Sequence, residues 1–258
     1  MALPLEGKLA VVTGASSGIG EATAIALARL GCRLFVGARR IERLEALRER
    51  IVAEVPGAEV RVHTLDVTVP DSCRAFCAAV EQAGEVEILV NNAGKALGAD
   101  PVVSAPEEPW REMIETNVMG LLRITRLLLP GMVARKRGTI VNVGSIAGLE
   151  PYAGGSVYCG SKAAVRSIGK AMRHELLGTG VRVCTVEPAA VETEFSEVRF
   201  GGDKARAKNV YRGFQPLSAV DIAEVVAFAV TRPPHVVIEE LSVWPVAQAS
   251  PTAYFRES

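Results

Sequence analysis

Tyr158 stands four residues before Lys162 in the stretch SVYCGSK. On a helix, positions i and i+4 share one face, about 6 Å apart. A free phenol ionises near pH ~10, and an adjacent ammonium favours its ionised form. Such a pair can move a proton near neutral pH as a general acid or base. Taken alone, the same spacing also suits an amphipathic core tyrosine beside a solvated lysine. The rest of the chain decides between the two.

A second stretch of chemical interest is TGASSGIG, with Gly14, Ser16, Ser17, Gly18, Ile19 and Gly20. It follows the first β-rich run and precedes an alanine-rich helical pattern. Glycines in such a turn let the backbone approach a pyrophosphate, which the N–H groups of the next helix then bind. The position, more than the glycines themselves, points to a dinucleotide. The second strand ends at Ala38, where an acid would contact the ribose hydroxyls of NAD. Arg39 and Arg40 follow instead. With no carboxylate to repel it and two guanidiniums to pair it, a 2′-phosphate fits this point, which selects NADP(H). Arg39, next to the strand end, is the stronger candidate; Arg40 also suits the start of a solvated helix.

Short apolar runs must carry these residues. They are expected as strands over residues 8–13, 33–38, 59–66, 86–94, 138–145, 181–188 and 236–244. Helical patterns alternate with them over 20–31, 41–55, 71–84, 108–136, 156–177 and 219–230, the fourth bent near Pro130. Most of the strands read as continuous apolar runs rather than alternating ones, as in a parallel sheet covered on both faces. Repeated β-α units give an α/β, Rossmann-like doubly wound sheet. Without a linker, repeat or low-complexity segment, residues 1–258 read as one domain. The polar stretch 194–213 reads as a mobile flap.

The bulk composition narrows the classes. Lys+Arg and Asp+Glu are balanced at 29 each, so no global field steers the chain to nucleic acid or a membrane. No apolar run reaches the ~18 residues of a membrane span, and the N-terminus lacks a signal-peptide pattern. The five cysteines, Cys32, Cys73, Cys77, Cys159 and Cys184, are odd in number. None has a histidine at zinc-site spacing. They read as reduced thiols of a cytoplasmic protein that needs no metal. Cys159, beside Tyr158, has no histidine partner in sequence reach that would make it a nucleophile.

With these stretches in place, the chain resembles the short-chain dehydrogenase/reductase family over essentially its whole length. TGASSGIG, LDV with Asp66, NNAG, Asn117 in ETNVMG, Ser145 in VGSIAG and YCGSK follow the family's order. Within it, NNAGKALGADP, PYAGGSVY, TEFSEVRFGGD and PPHVVIEELSVWPVAQ resemble the NADP-dependent 3-hydroxy acid dehydrogenases, which also reduce malonic semialdehyde. The resemblance implies a catalytic tetrad of Tyr158, Lys162, Ser145 and Asn117. Tyr158 would exchange the proton and Ser145 would steady the reacting oxygen. Lys162 would also bind the nicotinamide ribose, and Asn117 would hold a relay water. It also implies cofactor contacts from Asp66 and Val67, from Asn91, Asn92, Ala93 and Gly94, and from Pro188, Val191 and Thr193, and a homotetrameric assembly. The family's Pro-Gly after the sixth strand is here Pro188-Ala189, which puts the nicotinamide loop in question. Arg199, between Val198 and Phe200 in the flap, either meets a substrate carboxylate or pairs with a surface acid such as Glu197 or with a neighbouring subunit. Two rival functions fit the same motifs: reduction of a bulkier aldehyde or ketone, and non-catalytic NADP sensing.

Overall fold

Every residue of the first apolar run, β1 (Leu9–Thr13), is buried. This is the mark of a strand covered on both faces. A computed structural model describes residues 3–257; residues 1–2 and 258, the ends of the expected 1–258 domain, lie outside the described residues. The chain continues through α1 (Gly18–Arg29), β2 (Arg33–Ala38), α2 (Ile41–Glu54), β3 (Val60–Thr64), α3 (Pro70–Ala83) and β4 (Val86–Asn91). Then come α4 (Glu107–Ile114), a π-helical turn (Glu115–Gly120), α5 (Leu121–Ala134), β5 (Gly138–Val143), a 3-10 turn (Ile146–Gly148) and α6 (Ser156–Glu175). β6 (Val181–Pro188), α7 (Phe195–Arg199), α8 (Lys204–Asn209), α9 (Ala219–Val230) and β7 (Glu240–Val243) complete it.

The seven strands form one parallel sheet in the order β3-β2-β1-β4-β5-β6-β7. Alternate side chains of each strand feed opposite cores. Val12 joins Ile25 of α1 and Ile222 and Val226 of α9 on one face. Val11 joins Phe76 of α3 and Ile124, Leu128 and Met132 of α5 on the other. Helix starts follow local chemistry. Pro70 opens α3, where its missing N–H costs no bond, and Ser218 with Asp221 forms a reciprocal capping box on α9. The strand order reverses between β1 and β4, and a crevice opens there beyond the strands' carboxyl ends.

The long fourth helix breaks at another point than its proline suggests. Pro130 lies inside α5, and both it and Arg126, whose carbonyl loses its bond to the ring nitrogen, are exposed. Water can satisfy that carbonyl, so α5 continues. The irregularity falls instead at the π turn, which carries Asn117. By length and composition, Glu107–Ala134 could cross a membrane. Here the π turn divides it, and α5 lays its apolar side against the sheet. The expected flap is not structureless, since α7 and α8 occupy much of it.

Candidate active site

The turn between β1 and α1 has no room for side chains at two of its glycines. Gly14 has φ +67°, and a Cβ there would lie 2.8 Å from Ala93 Cα. A side chain at Gly20 would collide with the Asn92 amide. The turn is also bolted to the loop after β4, across the reversal of strand order. Asn92 Nδ2 donates to the Thr13 carbonyl (2.9 Å) and the Gly14 carbonyl (3.1 Å). Thr13 Oγ1 accepts from the Asn92 and Ala93 backbone N–H groups, both at 3.1 Å.

Beside this turn lies a cavity of about 530 Å³. Its wall at the glycine turn is Gly14, Ser16, Ser17, Gly18 and Ile19, with Arg39, Arg40, Asp66 and Val67 next to them. Further along come Asn92, Ala93, Gly94, Ser145, Tyr158, Lys162, Pro188, Val191, Thr193 and Arg199. Three expected contacts do not line it. Gly20 faces the Asn92 amide instead. Asn91 points to the opposite side of β4 from Asn92, as strand alternation requires. Its Nδ2 donates to Thr125 Oγ1 (2.9 Å) and Asn142 Oδ1 (3.0 Å) inside the fold. The third is Asn117, whose amide is fully engaged. It donates to the Lys95 carbonyl (2.9 Å) and Ser161 Oγ (3.0 Å), and accepts from the Lys95 N–H (2.8 Å). These bonds fix the loop after β4.

Tyr158 and Lys162 share one face of α6, and both are buried. Burial pushes the Tyr158 phenol above its ordinary range, opposed by a hydrogen bond with Ser145 and by the Arg199 charge. At this position loss of water outweighs the Arg199 charge. Burial also lowers Lys162, to about 8, with Glu187 acting in the other direction. Lys162 Nζ donates to the Val143 carbonyl (2.8 Å) at the end of β5. Ser145 follows β5 and caps the 3-10 turn by accepting from the Ala147 N–H (3.2 Å).

The two arginines after β2 differ. Arg40 is tied down: its guanidinium donates to Ser16 Oγ (3.1 Å), Ser17 Oγ (2.8 Å) and Glu194 Oε2 (2.9 Å). Arg43 meets the same Glu194 carboxylate. Arg40 is therefore more than the start of a solvated helix. Arg39 is exposed on the cavity wall and makes no ion pair among the described residues. Asp66 lies near it. Partial burial pushes the Asp66 carboxyl up, but hydrogen bonds from Thr68 and the Arg39 charge hold it below the usual range.

The Pro188-Ala189 departure is accommodated without strain. Among the described residues, Lys136 is the only non-glycine at positive φ, so Ala189 needs no glycine conformation. Its N–H donates to the Val243 carbonyl (2.9 Å), and the Ala190 N–H to Gln248 Oε1 (3.0 Å). Thr193 then packs against Gly18.

Arg199 reaches from α7 to the mouth of the site. Its Nε donates to the Gly98 carbonyl (3.1 Å) and Nη1 to Tyr152 Oη (2.8 Å). The guanidinium lies 5.9 Å from the Tyr158 ring centre. Among the described residues no acid pairs with it, Glu197 included. Several wall residues were missed from the sequence: Tyr152, Phe195, Tyr211, Gln248 and Tyr254. Tyr152, six residues before Tyr158, offered a local signal; the C-terminal pair offered none. No group of three His, Cys, Asp or Glu side chains suited to a metal forms among the described residues.

Comparison with known proteins adds to this geometry. The family described as short chain dehydrogenase matches residues 8–202. The NADP-dependent 3-hydroxy acid dehydrogenase of Schizosaccharomyces pombe is 41% identical over 258 residues, spanning 98% of each chain. The sulfoacetaldehyde reductase of Chromohalobacter salexigens is 45% identical over 240 residues, 92% of this chain and 94% of the relative. A closed form of serine dehydrogenase complexed with NADP+ superposes with a TM-score of 0.90 at 39% identity, covering 97% of this chain and all of that one.

Proposed function

The chain belongs to the short-chain dehydrogenase family, and from that premise we propose that it is an NADP(H)-dependent oxidoreductase. Its reaction interconverts a small 3-hydroxy acid and its semialdehyde or keto acid. The observation that carries this reading is an unpaired guanidinium, Arg199, at the mouth of a cavity that holds Tyr158, Lys162 and Ser145. A part-buried guanidinium facing the cavity, with no acid paired to it among the described residues, suits an anionic substrate group. The relatives' names fit the same chemistry, because a 3-hydroxy acid, serine and sulfoacetaldehyde each carry an acid group close to the reacting carbon.

The residues present fit the cofactor. The glycine turn, the N-terminus of α1 and the Arg39 guanidinium suit a phosphorylated dinucleotide. Asp66 and Val67 would border the adenine; Gly94, Lys162, Pro188, Val191 and Thr193 would border the nicotinamide ribose and ring. NADP(H), when bound, supplies or accepts the hydride.

The chain's own residues do the rest. In reduction, the protonated Tyr158 phenol donates its proton to the carbonyl oxygen; in oxidation it takes the alcohol proton back. Ser145 hydrogen-bonds the same oxygen and steadies its developing charge. The Lys162 ammonium stabilises the phenolate left behind. Asn117 is a positioning residue, locking the loop that carries Gly94. Residues 194–213, with α7 and α8, form the lid of a single domain, and Arg199 holds the substrate carboxylate beneath it.

Arg199→Met tests the substrate class, since it keeps length and apolar packing while deleting charge. We expect kcat/KM for a carboxylate-bearing semialdehyde to fall at least about tenfold, the worth of one charged hydrogen bond. An uncharged aldehyde of similar size should be reduced almost as before. Equal losses on both would assign Arg199 to lid structure alone.

Assembly into a tetramer is part of the same reading. β7 is an edge strand, and Val246 and Phe255 beyond it are exposed apolar side chains that a partner would cover. Velocity sedimentation at micromolar concentration should give one species of four chains; a monomer would contradict this.

A further inference from the structure

β6 carries an acid where its burial on both faces leaves no place for one. Glu187 has no exposed surface at all. Its Oε2 accepts the backbone N–H of Ser145. Its Oε1 has no hydrogen-bond partner among the described residues. The residue just after the neighbouring strand β5 makes room for the carboxyl, because a side chain at Gly144 would collide with it. A buried carboxyl with half its acceptors unused is expensive, and nothing in the strand's packing requires it. Elsewhere in the buried part of β6, Val183, Cys184 and Val186 are apolar and Thr185 is uncharged.

The surroundings show what the carboxyl acts upon. From α6, Lys162 and Arg166 bear on it; from β7, Glu240 does. Glu240 is itself paired with Arg166 (2.9 Å) and Lys170 (3.2 Å). From the β5 side come the uncharged Gly144 and Ser145. α9 packs against β6 and contributes the apolar Ile222 and Val226 to the core on that side. Cys184, on β6 itself, is a thiol that burial pushes up to about 12, so it carries no charge near neutrality. The one unpaired cation in this set is Lys162: it donates to a carbonyl and forms no ion pair among the described residues.

We infer that Glu187 is a positioning residue for the Tyr158–Lys162 pair: it pins the backbone of Ser145 and supplies a buried negative charge against Gly144, next to the Val143 carbonyl that holds the Lys162 ammonium. This rests on the proposed oxidoreductase reading for its catalytic consequence, though not for its physical content. The carboxyl and the ammonium oppose each other's loss of charge through space. Burial raises Glu187 to about 7, against the pull of Ser145 and Lys162. Burial lowers Lys162 to about 8, against the pull of Glu187. As pH rises past neutrality, Glu187 ionises over the range in which Lys162 would otherwise lose its proton. The site thus keeps an ammonium behind Tyr158 further into alkaline pH than burial alone permits.

The test is Glu187→Gln, whose amide keeps the size and can still accept from Ser145. We expect the alkaline limb of the kcat/KM profile for carbonyl reduction to move to lower pH by about one unit, with the variant within about threefold of wild type at pH ~6. A loss of equal size at every pH would overturn the proposal and leave Glu187 a packing residue.

A second readout needs no substrate, so it stands whether or not the reaction is correctly assigned. The folded-state pKa of Glu187 lies above the carboxyl's ordinary 4.5. Between 4.5 and about 7 the folded wild type therefore binds more protons than the unfolded chain, and its stability falls as pH rises through that window. The variant lacks this dependence. Its Tm relative to wild type should rise from pH ~5 to pH ~7.5, the window's two sides; a pH-independent Tm difference would overturn the assignment of a buried, titrating carboxyl.

Discussion

Tyr158→Phe is expected to lose about 10²–10⁴-fold in kcat, the usual contribution of a placed general acid, while binding NADPH as the wild type does. The phenol is buried on α6 and retains its proton at neutral pH, so it is the group ready to protonate a carbonyl oxygen. The ring has a separate duty. It packs with Ala96, Met113 and Cys159 and lies 5.6 Å from the Phe195 ring, contacts that phenylalanine keeps. A fold-preserving, proton-deleting change is thereby available. Steady-state turnover measured beside an NADPH titration separates the two duties. A variant that retained a tenth of wild-type kcat would show that another acid supplies the proton.

Arg39→Ala should weaken NADPH by about tenfold to a hundredfold and leave NADH little changed. A charge-assisted hydrogen bond is worth about 1.5–3 kcal/mol, and each 1.4 kcal/mol is about tenfold in affinity. The structure separates Arg39 from Arg40 by what each already holds. Arg40 is spent on Ser16, Ser17 and Glu194, so Arg40→Ala should loosen the glycine turn and weaken both cofactors alike. Arg39 has no such partner among the described residues and stands exposed on the cavity wall. Fluorescence titration of both variants with both nicotinamides distinguishes the roles. Equal losses of NADPH and NADH in Arg39→Ala would contradict the assignment.

The sheet was legible because its signal is local and strong. Runs such as RLFVGA and VRVCTVEP are dominated by apolar residues, and they became β2 and β6 with the expected limits. The π turn was not legible, since the apolar spacing runs through Glu115–Gly120 without a break and only Pro130 advertised an irregularity. Asn91 could have been set apart from Asn92 by strand alternation alone, which sends the first into the fold and the second to the glycine turn. Glu187 was legible in principle: an acid inside a strand otherwise buried on both faces is a conflict that asks for a reason. Gln248 and Tyr254 could not have been assigned to the cavity, because their approach depends on how the chain after β7 returns across the sheet. The burial that raises the Tyr158 phenol likewise belongs to the assembled fold and not to the spacing of Tyr158 and Lys162.

The most direct measurement is the oxidation of NADPH and of NADH by the purified wild-type chain, followed with a short semialdehyde that bears a carboxylate and with uncharged aldehydes and ketones up to bulky ones. Expected are turnover with NADPH, at least about tenfold higher kcat/KM for the carboxylate-bearing substrate than for an uncharged one of its size, and a clear preference for NADPH over NADH. Tight NADPH binding with no turnover of any carbonyl, or a preference for bulky uncharged ketones, would contradict the proposed function.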